Sequence, residues 1–201
     1  ITVLAGAFIL FVGAAPALKS PMTAGRIFGT AVLRRPCMCY MPHNKDKKER
    51  HGGKKMKLSV RRMRESDIDA MCRLLGDADV MKNLEPPFDR AKTEEFMHSA
   101  ALSDEALIYA AESDGEFIGY VIYHVYDTQS VELGWVLLPE CQGRGYASAL
   151  TDLLIERARS DNKCAVIECL PENGATKHIA KKKGFALCGT RDGLYVYRLE
   201  L

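Results

Sequence analysis

The residues best suited to chemistry lie in a short glycine-rich turn, QGRGYA at residues 142–147, where a strand-like run gives way to a helix-like run. The first backbone N–H groups of a helix have no partner within the helix, and together with the helix dipole they attract an anion. Glycine permits unusual backbone dihedral angles and lets a phosphate approach the main chain closely. The turn is therefore suited to bind a pyrophosphate, with Arg144 either adding a charge-assisted contact or pointing into solvent.

Two glutamates interrupt apolar runs on separate predicted strands. Glu132 lies within SVELGWVLL, and Glu168 lies within CAVIECL. A carboxylate inside an apolar strand costs free energy unless it is paired or takes part in chemistry. Each glutamate therefore turns toward solvent, pairs with a lysine or arginine, or belongs to a functional site.

Several other chemical signatures are absent from the sequence. It contains no GxxxxGK[ST] phosphate loop and no GxGxxG pattern at the first strand-to-helix turn. His98, His124 and His178 do not have the spacing of metal ligands, and no Ser/His/Asp arrangement stands out. The seven cysteines include no CxxC pair, and their odd number predicts reduced thiols rather than a disulfide framework.

The predicted elements explain how the turn and the two glutamates are positioned. Residues 56–201 are expected to form one α/β (α+β) domain with the order β-α-α-β-β-β-α-β-α-β-β, in which Ser66 is the N-cap of the first helix. Asp114-Gly115 and Asp192-Gly193 predict two hairpins. Hairpins combined with two β-α-β crossovers predict a mixed, mostly antiparallel central sheet flanked by helices. The predicted strands are residues 57–63, 106–113, 116–126, 130–138, 164–170, 186–191 and 194–201, and the predicted helices are residues 67–77, 93–101, 144–160 and 173–183.

Over residues 57–201 the chain resembles the GNAT superfamily of acyl-CoA-dependent N-acyltransferases. One family signature, Q/R-x-x-G-x-G/A after a strand, is present at residues 142–147. A second is present in PENGATKHIAKKKGF, where Asn173 is followed by Thr176 and then by Gly184 and Phe185. The chain is most similar to the ribosomal-protein N-terminal acetyltransferase group, whose members often read ELGYxLxPExQGxGYA and PENxxSxxxxxKxGF.

The resemblance implies an enzyme that moves an acetyl group from acetyl-CoA to an amine by direct attack in a ternary complex, without a metal. The main chain of residues 135–138 would pair with the pantetheine arm like an added strand, and one of its N–H groups would polarise the thioester carbonyl. Asn173 would hydrogen-bond to the same arm. The implied cofactor-binding residues are Trp135, Val136, Leu137, Leu138, Gln142, Gly143, Arg144, Gly145, Tyr146, Ala147 and Asn173.

Glu168 and Glu132 are the catalytic candidates under this resemblance. An alkyl amine is mostly protonated at neutral pH, and a nearby carboxylate can accept its proton directly or through one water. Glu168 leads, because its position relative to Asn173 matches the base of the ribosomal-protein acetyltransferases. The sequence departs from that group at Ala180, where a tyrosine acid is common. Either the thiolate leaves unassisted or another tyrosine protonates it, and the tyrosines available are Tyr123, Tyr126, Tyr195 and Tyr197.

The expected partners follow from the same reasoning. The acceptor is a protein N-terminus or a small amine, and the net charge of −6 on residues 56–201 mildly attracts cations. We expect no nucleic-acid or membrane partner for this part of the chain, a monomer or homodimer, and a cytoplasmic location. The alternative function is a non-catalytic module that binds acyl-CoA, which Ala180 favours.

The first 55 residues differ from the rest of the chain. They contain ten lysines and arginines against two acidic residues, and they begin with an apolar run that has no charge before Lys19. We expect them to be a leader that is disordered or foreign to the natural protein, with translation starting at Met56, because codons for Gly52-Gly53-Lys54-Lys55 can contain a ribosome-binding sequence. A signal peptide or membrane anchor, and a basic tail that binds nucleic acid, are the alternatives.

Overall fold

A seven-stranded sheet organises residues 57–201, the part of the chain that the computed structural model describes. The leader predicted at residues 1–55 and the start predicted at Met56 lie outside the described residues. The strands are β1 (Leu58–Arg61), β2 (Ile108–Ser113), β3 (Glu116–Val125), β4 (Ser130–Leu137), β5 (Cys164–Cys169), β6 (Ala186–Arg191) and β7 (Leu194–Leu199). The helices are α1 (Ile68–Leu75), α2 (Ala78–Met81), α3 (Arg90–Phe96), α4 (Tyr146–Ser160) and α5 (Gly174–Lys182).

The strand order is β1-β2-β3-β4-β5-β7-β6. Strands β4 and β5 are parallel and are joined through α4, whereas every other neighbouring pair is antiparallel. Strand β7 lies between β5 and β6, so the connection through α5 passes over it. The predicted fold, a mixed and mostly antiparallel sheet with two β-α-β crossovers, is confirmed.

Tight turns set the register of two hairpins, as the sequence predicts. Asp114 and Gly115 have φ angles of 53° and 89°, and Asp192 and Gly193 have φ angles of 49° and 82°. Two consecutive residues with positive φ form the type of hairpin turn that matches the twist of the flanking strands.

The N-cap predicted at Ser66 is wrong. Ser66 lies inside a short 3-10 turn, Glu65–Asp67, that precedes α1. The side chain of Asp67 organises this turn instead, because its Oδ2 accepts the Arg64 N–H at 2.8 Å. The Arg61 guanidinium donates to both oxygens of Asp67, at 2.7 and 2.9 Å, and so ties the start of the helix to β1.

The second predicted helix begins earlier than its pattern suggests. Helix α3 starts at Arg90 rather than at Thr93, because Asp89 caps it by accepting the Lys92 N–H at 2.8 Å. The helix ends in a π-helical turn, Met97–Ala101. The short α2 was not predicted.

Helices cover both faces of the sheet. Tyr123 donates its hydroxyl hydrogen to Asp161 at the end of α4, at 2.7 Å. Tyr120, which points to the other face of the same strand, packs against Phe96 of α3 with ring centroids 6.2 Å apart. We call the two sides the α4 face and the α3 face. Between residues 57 and 201, no helix combines the length and apolarity that crossing a bilayer requires.

Candidate active site

The parallel strands β4 and β5 separate part of the way along their length. Their last residue pair is Glu132 with Val166, although β4 continues to Leu137 and β5 continues to Cys169. Beyond that pair, β4 stays bound to β3 and β5 stays bound to β7. A gap therefore opens inside the sheet between two strands that are each held from their outer side.

The main-chain groups of Trp135 and Leu137 face this gap. In an antiparallel pair, the N–H and C=O groups of successive residues point alternately toward the partner strand and away from it. Leu138 donates its N–H to the Ile118 carbonyl at 3.0 Å, so Leu138 and Val136 point toward β3. Of the four residues predicted to pair with a pantetheine arm, two therefore face the gap and two face the neighbouring strand.

The glycine-rich turn has the backbone conformation that its sequence predicts. Gly143 and Gly145 have φ angles of 72° and 84°, in the left-handed region that favours glycine. Gly145 directly precedes α4, and no side chain within residues 57–201 caps this helix start. Tyr146 and Ala147 are the first two residues of α4, and their N–H groups point out of its first turn without a partner within the helix. The turn follows the end of β4, so these groups lie next to the gap.

The side chains around the turn differ in their surroundings. Gln142 donates its Nε2–H to the Leu137 carbonyl at 3.1 Å, which ties the turn to the gap-facing main chain of β4. Arg144 is exposed. Cys141 is buried, and burial together with the charge of Glu140 raises the pKa of its thiol. A raised pKa disfavours the thiolate, so Cys141 is poorly suited to act as a nucleophile.

Asn173 and Ala180 belong to the element on the far side of the gap. Asn173 is buried and caps α5 by accepting the Thr176 N–H on Oδ1 at 3.1 Å. Ala180 is fully buried in the core. The position that holds a tyrosine in the ribosomal-protein acetyltransferase group therefore contributes no acid here.

Glu168 is held by a tyrosine. Its side chain is on the α3 face, 4% exposed, and its Oε1 accepts the Tyr126 hydroxyl at 2.6 Å. Burial raises the pKa of Glu168, the hydrogen bond from Tyr126 opposes this, and the charge of Glu132 adds to the increase. Burial also raises the pKa of Tyr126, and the Arg191 guanidinium lies 5.2 Å from the centroid of the tyrosine ring. A carboxylate with a raised pKa is better matched to accepting a proton near neutral pH.

Glu132 is paired with a histidine. His124 lies directly opposite Glu132 in the β3–β4 register, and its Nε2 is 3.3 Å from Glu132 Oε2. Their side chains are 13% and 9% exposed. Burial opposes the charged imidazole, but Glu132, the Val125 carbonyl and the charge of Glu168 together outweigh burial and raise the pKa of His124.

The two predicted catalytic glutamates are thus on one face, on neighbouring strands, and each has a partner. Sequence alone predicts neither the pairing of His124 nor the approach of Arg191. The β3–β4 hairpin offers a signal for His124, because a short connection at residues 126–129 fixes which residues of the two strands are opposite. Arg191 gives no such signal, since it comes from the distant β6–β7 hairpin.

The loop before α3 lies against the same face. Lys92 bonds to Glu85 at 3.0 Å and lies 4.0 Å from the centroid of the Phe88 ring. Phe88 packs against Phe96 with ring centroids 6.0 Å apart, and Phe96 packs against Tyr120, so this loop lies near β3. No cluster of three His, Cys, Asp or Glu side chains within residues 57–201 is arranged to hold a metal ion.

Known proteins share this arrangement of elements. A family model described as an acetyltransferase (GNAT) domain matches residues 57–186. An uncharacterised N-acetyltransferase of Bacillus subtilis strain 168, YnaD, is 25% identical over 133 residues, which cover 64% of this chain and 78% of that protein.

Two solved structures are similar in fold. Spermidine N-acetyltransferase from Vibrio cholerae, in complex with CoA and spermine, has a TM-score of 0.59 and 20% identity and covers 70% of this chain and 92% of its own. The ribosomal L7/L12 α-N-protein acetyltransferase RimL, in complex with coenzyme A, has a TM-score of 0.60 and 19% identity and covers 72% of this chain and 94% of its own.

Proposed function

Because the chain belongs to the GNAT acetyltransferase family, it is an acyltransferase, and we propose that it transfers an acetyl group from acetyl-CoA to an amine on the α3 face. The observation that carries this proposal is the continuity of the site. The gap between β4 and β5 begins beside Glu132 and Glu168 and ends next to the glycine-rich turn. A long cofactor with a diphosphate at one end and a thioester at the other suits a site of this form.

The cofactor is bound mainly by the backbone in this proposal. The N–H groups of residues 143–147 bind the diphosphate, where positive φ angles at Gly143 and Gly145 turn the main chain outward. The gap-facing groups of Trp135 and Leu137 pair with the amides of the pantetheine arm. Asn173 lies across the gap from them and contacts the same arm. Gln142 acts indirectly, since its side chain fixes the Leu137 carbonyl.

The transfer itself needs a base and a donor to the carbonyl oxygen. Glu168 accepts a proton from the ammonium group, directly or through a water, and the freed lone pair attacks the thioester carbon. A gap-facing N–H of β4 holds the oxygen as it becomes negative. The C–N bond forms, the C–S bond breaks, and CoA leaves as the thiolate, which takes up the second proton that the nitrogen releases, directly or through water. This step requires no acid at position 180, because the low pKa of a thiol makes its thiolate a good leaving group.

The acceptor is an amine of a small molecule or of a protein. The two structural relatives are named for a polyamine and for a ribosomal-protein N-terminus, so both classes remain within the proposal. The loop at Glu85 and Phe88 and the turn at Arg191 border the α3 face and would contact the acceptor.

The proposal is tested by following thiol release from acetyl-CoA with a panel of polyamines, amino acids and N-terminal peptides. Glu168→Gln is expected to lower kcat by about 10²- to 10⁴-fold, the usual contribution of a general base, without weakening CoA binding. Glu116→Gln, at an exposed glutamate on β3, is the matched control. CoA binding with no thiol release from any amine would favour a non-catalytic binding module. No CoA binding at all would exclude the cofactor site.

A further inference from the structure

We infer that His124 is a positioning residue for the reaction: it forms a buried ion pair with Glu132, and this pair leaves Glu168 as the carboxylate that exchanges a proton with the amine. The inference rests on the proposed function and gives Glu132, the second catalytic candidate, a role distinct from that of Glu168. His124 does not touch the reacting atoms in this account. It acts through Glu132.

The geometry places the two glutamates where they affect each other. Glu132 and Val166 are the last pair between β4 and β5, and Glu168 is two residues beyond Val166, so Glu168 and Glu132 point to the same face. His124 is opposite Glu132 on β3 and therefore shares that face as well. Three neighbouring strands thus bring one imidazole and two carboxylates into a single buried layer.

Two carboxylates in such a layer do not ionise independently. A negative charge on Glu132 favours the protonated form of Glu168 and so raises the pKa of that base. A protonated His124 beside Glu132 offsets part of the charge of that carboxylate and so limits its effect on Glu168. The charged and titratable groups that face Glu168 are His124 and Tyr126 from β3 and its following turn, Glu132 from β4, and Arg191 and Asp192 from the β6–β7 hairpin.

The side-chain contacts of the two glutamates support different roles. Glu132 is engaged by His124 and lies within the paired part of β4. Glu168 lies beyond the last β4–β5 pair, where the gap begins. Tyr126 binds its Oε1, and no donor from the described residues binds its Oε2, which leaves that oxygen for a proton from the amine.

The ion pair is tested by NMR titration of the histidine ring resonances in the full chain. The His124 resonance is identified by its loss in His124→Gln. We expect the His124 ring to stay protonated above pH ~6.5, where a free histidine loses half of its protons, and to lose its proton at lower pH in Glu132→Gln. The exposed His98 and His178 are internal controls, since their resonances should behave in Glu132→Gln as they do in the wild type. A wild-type His124 that loses its proton at or below pH ~6.5, or one that Glu132→Gln leaves unchanged, overturns the inference.

The effect on Glu168 is tested by the pH dependence of kcat/KM. His124→Gln leaves Glu132 uncompensated, so the acidic limb should move to higher pH, with about a tenfold loss of kcat/KM at the foot of that limb for each unit of movement. The double variant His124→Gln/Glu132→Gln removes both charges and should return the limb toward its wild-type position. A residue with only a stabilising role would lower kcat/KM at every pH without moving the limb.

The outcomes separate this inference from the proposed function. If the single variant does not move the limb, or if the double variant is shifted as far as the single one, the inference fails while acetyl transfer stands. If no amine is acetylated, the carboxyl resonance of Glu168 is titrated in the same variants, and it should move to higher pH in His124→Gln and return in the double variant. If the titration of the Glu168 resonance is the same in His124→Gln as in the wild type, the inference is wrong.

Discussion

Replacing Gly145 with alanine isolates the contribution of the backbone at the start of α4. Gly145 has a φ angle of 84°, and a Cβ built on it meets no atom within 4 Å. The substitution therefore creates no collision in the free protein. Its cost comes from forcing an alanine into the left-handed region, which is about 1–2 kcal/mol.

This cost must appear either as a lower unfolding free energy or as a lower affinity for CoA. If the Gly145→Ala variant keeps the left-handed conformation, the protein loses about 1–2 kcal/mol of unfolding free energy and binds CoA normally, unless the new methyl group obstructs the diphosphate. If the turn relaxes to negative φ, stability is retained, but CoA must restore the strained conformation when it binds. The affinity then falls by about five- to thirty-fold, since each 1.4 kcal/mol is a factor of ten. Because the free variant can adopt the relaxed turn, we expect most of the cost to appear as a lower affinity for CoA.

Gly115→Ala is the matched control for this experiment. Gly115 has a φ angle of 89° and open space around its Cβ position, but it lies in the β2–β3 turn, away from the gap. Thermal melts and calorimetric titration with CoA are measured for both variants. We expect Gly115→Ala to reduce stability alone and Gly145→Ala to weaken CoA binding. Wild-type stability of Gly145→Ala combined with an unchanged CoA affinity would refute the assignment of this turn to the diphosphate, because a relaxed turn would then cost CoA nothing.

Three further predictions concern charge and packing. Asp67→Asn should lower the unfolding free energy by about 2 kcal/mol at pH 7. Burial alone would raise the pKa of Asp67, but the interaction with Arg61 outweighs burial, so the pKa of Asp67 is lowered and its charged form is stabilising. That difference should shrink as urea titrations are moved below pH ~3.9, where the unfolded carboxyl is already protonated. Glu168→Gln should raise the melting temperature at pH 8, because burial raises the pKa of Glu168 and its ionised form is costly, and the gain should vanish as pH falls toward ~4.3. Gly119→Ala should destabilise the protein by about 3 kcal/mol in denaturant titrations, because the new Cβ would lie 2.1 Å from the Val136 carbonyl oxygen. A variant with normal stability would contradict the close approach of β3 and β4 at this position.

The sequence predicts the strands and hairpins well because their signals are local. Asp114-Gly115 and Asp192-Gly193 require positive φ angles that few other residue pairs accept, and the alternation of apolar residues identifies the strands around them. The helix starts are less predictable, since Ser66, Asp67 and Asp89 are all plausible caps. Asp89 caps α3, but the side chain of Asp67 makes no capping bond to α1 and instead accepts from the Arg64 N–H and from Arg61, which comes from a separate element.

The candidate site is predictable in part for the same reason. The turn at residues 142–147 combines a local pattern with a local conformation, so the left-handed backbone of Gly143 and Gly145 can be expected from the sequence, while their contact with the cofactor stays a prediction. The partners of the two glutamates depend on pairing between distant segments. Tyr126 and Glu168 are 42 residues apart and meet only because β5 lies beside β4. No periodicity along the chain contains that information.

The placement of β7 between β5 and β6 has a consequence for how the chain folds during synthesis. Strands β1 to β4 pair in sequence order, so this half of the sheet can assemble as it emerges. Strand β5 can meet β4 over only its first residues, and its other edge stays bare until residues 194–199 arrive. A nascent chain halted before that point would therefore expose the unpaired edge of β5, and an unpaired strand edge invites pairing with other chains. The β5 side of the gap, which carries the proposed base Glu168, would therefore be the last part of the site to form during synthesis.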